Sequence, residues 1–332
     1  MDNLTHSLLG LTLSRAGLNR LAPRSGWLLL LAANAPDIDT VAGLDGSTCY
    51  LHVHRGWTHS VALAPVVALL PLALWWLIAR KLRPGVKQWL GAYVASLLGV
   101  ASHILLDWTN VYGIRLLLPF DAAWLRLDWV NIVDIWVWAL LGVAVFAPLL
   151  ARLVNSEIGA KSGPGRAGAC TILVLLALYI AGRSVAHDRA VATLEARIYS
   201  GETPQTVAVV PGPANPLRWR GIVETASAWH VVDVNLRRDF DPDSGRVFYK
   251  PQRSAALDRA RESDTAHVFL NFASFPVWSV TPTPDHEGSV TVLISDLRFG
   301  LPEEGRFTAT IVLDPAGRIV HEGFKFGTLG TD

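Results

Sequence analysis

The sequence predicts an α-helical membrane bundle followed by a β-rich soluble domain. Of the 332 residues, 51% are hydrophobic and only 17% are charged, and the mean hydropathy is +0.33. These values are too apolar for an ordinary soluble chain of this length. The apolar residues are concentrated before about residue 187. We therefore expect a membrane domain at residues 1–189 and a second domain at residues 190–332.

The membrane domain contains four segments with the roughly 20 apolar residues that a helix needs to cross a bilayer. They lie at residues 61–79, 89–106, 132–150 and 167–186. Two weaker apolar segments, at residues 4–18 and 27–35, precede them. These predict a short helical pair, either a hairpin or a re-entrant pair packed inside the bundle.

The second domain shows the alternating pattern of β-strands. From about Thr193 onward, short alternating runs are separated by Pro, Gly and Asp, and they read VVDVNL, RVFYK, HVFLNF, SVTVLIS and FTATIVL. Such runs predict strands. The sequence LDPAGRIV predicts a hairpin turn, because Asp and Pro favour turn entry and Gly tolerates a positive φ.

The distribution of Lys and Arg predicts the orientation of the chain in its membrane. One set of connections carries ten basic residues: Arg15, Arg20, Arg24, Arg80, Lys81, Arg83, Lys87, Arg152, Lys161 and Arg166. The alternate set carries only Arg55, Arg115 and Arg126. Cytoplasmic loops retain positive charge, so the first set is expected in the cytoplasm. The C-terminal domain is then expected to be extracytoplasmic.

Polar residues of the membrane domain gather at one end of this topology. Eight of them fall at the outer end: His6, Asp37, Asp39, His54, His59, His103, Asp107 and Asp134. The charge rule that set the topology did not use histidine or aspartate. Their convergence is therefore an independent indication of a shared site.

The spacing of these residues suits metal binding. His103 and Asp107 are four apart, which places both side chains on one face of a helix. Asp37 and Asp39 are two apart after Pro36, so in an extended segment both carboxylates point the same way. Histidine with carboxylate, and without cysteine, suits zinc, manganese or iron in hydrolytic chemistry. We expect one or two divalent ions, with zinc favoured.

Structural roles compete with these functional ones. A lone interfacial histidine is usually amphipathic, which applies to His6 and to His52. Aspartates that follow a helix, such as Asp37 and Asp39, often serve turns. His103 and Asp107 are harder to explain structurally, because ionisable residues inside a membrane cost roughly 2.5 to 3.5 kcal/mol each. Arg55 is either an interfacial anchor or a fork for a phosphate or carboxylate group of a substrate.

Six successive motifs resemble the membrane-bound metal-dependent hydrolase family, whose best-known bacterial branch is a LexA-regulated inner-membrane protein. They are THSLLG, NAPDID, HRGWTHS, SHILLDWTNVYG, LPFD and LDWVNIVD, in order through roughly the first 140 residues. The resemblance implies a metal-dependent hydrolase. It also implies functional positions at His6, Asp37, Asp39, His54, Arg55, His59, His103, Asp107, Asp128 and Asp134.

The first functional hypothesis is a metal-dependent hydrolase that acts at the outer membrane–water interface on a phosphoester or a lipid-like amphiphile. Asp39 or Asp128 would be its general base, and Arg55 would hold an anionic substrate group. The alternative is a non-enzymatic membrane module that binds metal or transports ions or protons. The polar residues gather at one end rather than at successive depths, which favours the enzyme. A net charge of +1 without a basic block makes a nucleic-acid partner unexpected.

Overall fold

The computed structural model describes residues 1–157, 165–284 and 286–326. Lys161, one of the ten basic residues counted above, lies outside the described residues. The chain divides into two compact units. The first consists of Met1–Asp39, Arg55–Ala186 and Pro211–Pro216, and the second of Thr40–His54, His187–Val210 and Leu217–Asp332. Residues 40–54, which the sequence placed within the membrane domain, thus group with the second unit.

The helices confirm the predicted helical membrane part. They lie at Asn3–Ala16 (α1), Ser25–Ala32 (α2), Ser47–Val53 (α3), Ala64–Val67 (α4), Leu69–Ala79 (α5), Val86–Thr109 (α6), Ile135–Glu157 (α7), Arg166–Glu195 (α8), Ala255–Arg261 (α9) and Asp264–Phe272 (α10). Within the described ranges, four segments are long and apolar enough to cross a membrane: Ala64–Leu82, Val86–Thr109, Ile135–Asn155 and Arg166–Glu195. Helices α1 and α2 pack against each other and form the predicted N-terminal pair.

Helix α2 packs closely against α6 because Gly99 lies at their contact. A Cβ atom at Gly99 would come within 2.6 Å of the Cβ of Ala32. That distance is well inside an ordinary van der Waals contact, so only glycine allows this approach. His103 lies one turn further along α6 and is fully buried. The close approach therefore brings the His103 side chain to the backbone of α2.

Helix α1 contacts α7 through a partly buried polar interaction. Pro148 lies inside α7 and has no N–H, so it leaves the carbonyl of Ala144 without its helical hydrogen bond. The guanidinium of Arg15 donates to Ala144 O at 2.9 Å and also to Val145 O. Arg15 thus satisfies backbone groups that the proline exposes in an apolar environment.

The second unit confirms the predicted β-rich domain. Its strands lie at Thr206–Pro211 (β1), Arg218–Glu224 (β2), Ala228–Asn235 (β3), Arg246–Tyr249 (β4), Pro276–Pro282 (β5), Val290–Asp296 (β6), Phe307–Leu313 (β7) and Ile319–Phe326 (β8). They form two antiparallel four-stranded sheets, each in sequence order, β1 to β4 and β5 to β8. The predicted turn joins β7 to β8, with Gly317 at φ 75°. Helix α3 packs against β8 and α10.

One predicted strand is wrong, because HVFLNF lies in helix α10. The side chain of Ser263 caps this helix by accepting from the backbone N–H of Ala266. Ala266, Phe269 and Phe272 are buried at helical spacing, and the two phenylalanines pack on the aromatic core of the second sheet. The N-cap and this spacing favour a helix over the strand that the alternation suggested.

Candidate metal centre

Three parts of the first unit bring four potential ligands together. Asp37 lies in the 3-10 helix Ala35–Asp45 that follows α2, and His59 ends the short 3-10 helix Trp57–His59. His103 and Asp107 lie one turn apart near the end of α6 and share one face, as their spacing predicts. All four side chains are buried. We call Asp37, His59, His103 and Asp107 the four-ligand cluster.

The ligand atoms of the four-ligand cluster lie close to one another. His59 Nε2 and His103 Nε2 are 3.1 Å apart. Asp37 Oδ1 lies 3.4 Å from His59 Nε2 and 3.5 Å from His103 Nε2. Asp107 Oδ2 lies 3.5 Å from His59 Nε2 and 3.4 Å from His103 Nε2. Ideal tetrahedral coordination with bonds of about 2.1 Å separates its ligand atoms by about 3.4 Å. The cluster therefore has the dimensions of a four-coordinate metal site.

Hydrogen bonds at the far side of each imidazole direct Nε2 toward the cluster. His103 Nδ1 lies 2.7 Å from the backbone carbonyl oxygen of Ala33, which accepts only from a protonated Nδ1. His59 Nδ1 lies 3.3 Å from Asp39 Oδ2 and 3.0 Å from the Thr58 hydroxyl. Carbonyl and carboxylate partners of this kind fix the tautomer in metal-binding histidines. Neutral rings held in this way present two Nε2 lone pairs to the same point as two carboxylates, which suits a cation.

The Asp37 carboxyl is held in its ionised form. Burial raises the pKa of this carboxyl, but its contacts with the His103 and His59 rings outweigh the burial and hold the pKa below its ordinary value. An ionised carboxylate is the form that coordinates a divalent ion.

Two buried groups, His6 beside the cluster and Asp107 within it, lack hydrogen bonds that their chemistry would normally require from the described part of the chain. Neither ring nitrogen of His6 has a hydrogen-bond partner among the described residues, although the ring is fully buried and stacks on His103 with centroids 3.6 Å apart. His6 Nε2 lies 3.3 Å from Asp107 Oδ1, which also contacts the amino group of Met1. Asp107 Oδ2 likewise has no hydrogen-bond partner. Such buried unsatisfied atoms are costly, and a metal ion would satisfy Asp107 Oδ2 and the one His6 ring nitrogen that carries a lone pair.

Arg55 connects the four-ligand cluster to the loop after α6. Its backbone adopts φ 60°, and its guanidinium Nε lies 3.2 Å from Asp107 Oδ2. The same guanidinium donates to Asn110 Oδ1 at 3.1 Å and lies over the Tyr112 ring. Arg55 is only 3% exposed. These contacts direct its charge at Asp107.

Asp39 lies beside the cluster as a hydrogen-bond acceptor for the protein. Its Oδ2 accepts from the backbone N–H of Arg55 at 3.0 Å and from the Thr58 hydroxyl at 2.6 Å. Together with its contact to His59 Nδ1, these bonds make Asp39 an orienting group for His59.

Three further sequence-predicted residues, Asp134, Asp128 and His54, make the following contacts. Asp134 caps α7, because Oδ1 accepts from the backbone N–H groups of Trp136 and Val137. Asp128 is buried and forms an ion pair with Arg126, with Nε 2.9 Å from Oδ2. His54 follows α3 in the second unit, where its ring stacks on Tyr50.

Sequence reasoning missed two residues that support the cluster. Asn110 donates to Asp107 Oδ1 at 3.2 Å and accepts from Arg55, so it orients both partners. Thr58 joins Asp39 to His59. Asn110 follows Asp107 by three residues at the end of α6, a spacing that could have indicated the contact.

Comparisons with known proteins match the part of the chain that contains these residues. The family model described as YdjM inner membrane protein matches residues 1–190, which include the four-ligand cluster. The uncharacterized protein YfhP of Bacillus subtilis (strain 168) is 26% identical over 310 residues, which cover 90% of this chain and 87% of YfhP. No solved structure matches the chain.

Proposed function

The chain belongs to the YdjM inner membrane protein family, and we propose that it is a membrane-bound metal-dependent hydrolase. The observation that carries the proposal is the four-ligand cluster with both histidine Nδ1 atoms held by outer partners. Two imidazoles and two carboxylates without thiolate are a ligand set used in hydrolytic metal sites. Zinc is the metal we favour, with manganese or iron as alternatives.

The residues divide into ligands and groups that position them. Asp37, His59, His103 and Asp107 would hold the ion, and His6 could add a fifth nitrogen. A bound divalent ion supplies Lewis acidity and lowers the pKa of a bound water to about 7. Asp39 fixes the orientation of His59, while Asn110 and Arg55 fix that of Asp107. We keep Asp39 and Asp128 as the two candidates for the general base, since both carboxylates already accept hydrogen bonds, Asp39 from Arg55 and Thr58 and Asp128 from Arg126.

Position within the membrane part supports an amphiphilic substrate. The four-ligand cluster draws on residues from the ends of α2 and α6 rather than from the middle of a span. We propose that this end faces the extracytoplasmic side and that the second unit lies on the same side. A site near headgroup depth favours a lipid or another phosphoester with an apolar part.

A non-enzymatic metal-binding or transport module is the alternative. Transport requires polar groups at successive depths of the bundle. Polar contacts of the described residues away from the cluster include those of Arg15 and Ser96, whose side chains donate to backbone carbonyl oxygens of α7 and of Ala68. This arrangement favours the hydrolase.

The proposal is tested by hydrolysis of a soluble phosphodiester, bis(p-nitrophenyl) phosphate, by the purified full-length chain in detergent. We expect activity that a chelator removes and that added zinc or manganese restores. His59→Ala should abolish it, whereas His52→Ala should retain it because His52 is exposed and outside the cluster. Metal-loaded protein without hydrolytic activity on phosphodiesters or phospholipids would contradict the enzyme and favour the binding or transport module.

A further inference from the structure

Three arginines lie in the connections that carry few basic residues, and two of them are paired with carboxylates. Arg55 pairs with Asp107, and Arg126 pairs with Asp128. Arg115 forms no ion pair with any residue that the structure describes, and its Nε is buried without a hydrogen-bond partner. Asp121, a nearby carboxylate in the sequence, accepts instead from the backbone N–H of Ala123. Arg115 is therefore the cation of this region that still requires an anion.

Backbone hydrogen bonds fix Arg115 beside the segment that leads to the metal ligand His59. The N–H of Arg115 donates to Arg55 O at 2.9 Å, and the N–H of Val61 donates to Leu116 O at 3.0 Å. The Arg115 guanidinium lies over the Trp124 ring, 4.9 Å from its centroid. Stacking on an aromatic ring holds a guanidinium plane while its edge remains able to bind an oxyanion.

The same loop exposes large apolar side chains. Phe120 is 88% exposed and Leu117 is 45% exposed in the turn that follows Arg115. Trp57, two residues before His59, is also exposed, as is Val61. Aromatic and apolar side chains at the end of a membrane span typically enter the interface between headgroups and acyl chains. Arg115, a cation without an ion pair among the described residues, thus lies beside an apolar surface. One member of that surface, Val61, stands three residues before the start of the span Ala64–Leu82.

We propose that Arg115, with Leu117 and Phe120, binds the anionic headgroup and the adjoining acyl region of a membrane phospholipid. The inference rests on the proposed function, because a lipid held there is presented to the metal centre beside it. Arg115 rather than Arg55 then supplies the charge that recognises the substrate, since the Arg55 guanidinium is already bound to Asp107 and Asn110.

Native mass spectrometry of the full-length chain in detergent tests the proposal. Phosphatidylglycerol and phosphatidylcholine are added at equal concentration, and the lipid retained on the protein is measured. We expect preferential retention of phosphatidylglycerol, and a loss of about tenfold in its affinity in Arg115→Gln because one charge-assisted interaction is removed. Phe120→Ser should weaken both lipids, because both have acyl chains.

Matched measurements make the result specific. Arg20→Gln removes an exposed arginine from the other set of connections and should bind lipid as the wild type does. Arg115→Gln should keep its bound metal, measured by elemental analysis. Unchanged phosphatidylglycerol retention in Arg115→Gln, or displacement of the lipid by millimolar inorganic phosphate alone, would overturn the lipid site. Neither result affects the proposed hydrolase function, which fails separately if the wild type hydrolyses no phosphoester.

Discussion

Replacement of Gly99 by alanine tests how the packing of α2 against α6 builds the metal centre. The new Cβ would lie 2.6 Å from the Cβ of Ala32, whereas ordinary contact begins at about 3.4 Å. The helices must therefore separate by about 0.8 Å near this point. If that shift falls along the bond from His103 Nδ1 to Ala33 O, the bond lengthens from 2.7 Å to about 3.5 Å, the limit of a hydrogen bond.

Loss of this outer bond should weaken metal binding without removing a ligand. Loss of an outer-shell partner typically costs 10- to 100-fold in metal affinity. We expect a loss in this range for Gly99→Ala, measured by competition with a chromophoric chelator. Gly182→Ala is the matched control, because a Cβ at Gly182 meets no atom within 4 Å. Wild-type affinity in Gly99→Ala, or an equal loss in Gly182→Ala, would refute the reasoning.

Three further predictions concern the stability and the membrane topology of the chain. Asp134→Ala should lower the free energy of unfolding by about 1 kcal/mol through loss of the α7 cap, and the variant should keep its metal. Loss of metal in this variant would instead indicate that Asp134 is a ligand. Arg15→Ala should lower the free energy of unfolding by about 1 to 3 kcal/mol, because it leaves the Ala144 carbonyl unsatisfied, and Arg15→Lys should lower it less. Equal thermal stability of the wild type and both variants would argue against this role of Arg15. A reporter fused to the C-terminus should be extracytoplasmic, and a cytoplasmic signal would reverse the topology.

The bundle and the pairing within α6 could be predicted from sequence because they follow from local periodicity. Apolar length predicts the four spans, and the spacing of His103 and Asp107 requires them to share a helix face. Positive-inside counting placed Asp37 and His59 at the same end without any contact information, and the structure places both beside α6.

The division between potential ligands and supporting residues could not be predicted, because it depends on contacts between distant segments. Asp39 and Asp37 look equivalent in sequence, yet only the structure shows Asp39 accepting from Arg55 and Thr58. Asp134 begins an apolar helix, and its capping role becomes visible only from its backbone partners. In α10, the alternation of HVFLNF was misleading because the Ser263 cap and the buried phenylalanines both favour a helix.

The metal content of the purified full-length chain tests the central claim most directly. Elemental analysis after dialysis against metal-free buffer should show at least one divalent ion per wild-type chain. His103→Ala and Asp107→Ala should each reduce it to near zero, and the double variant should be scarcely lower, since ligands of one ion act as a unit. His52→Ala should retain the wild-type content. Wild-type metal content in both His103→Ala and Asp107→Ala would contradict the account.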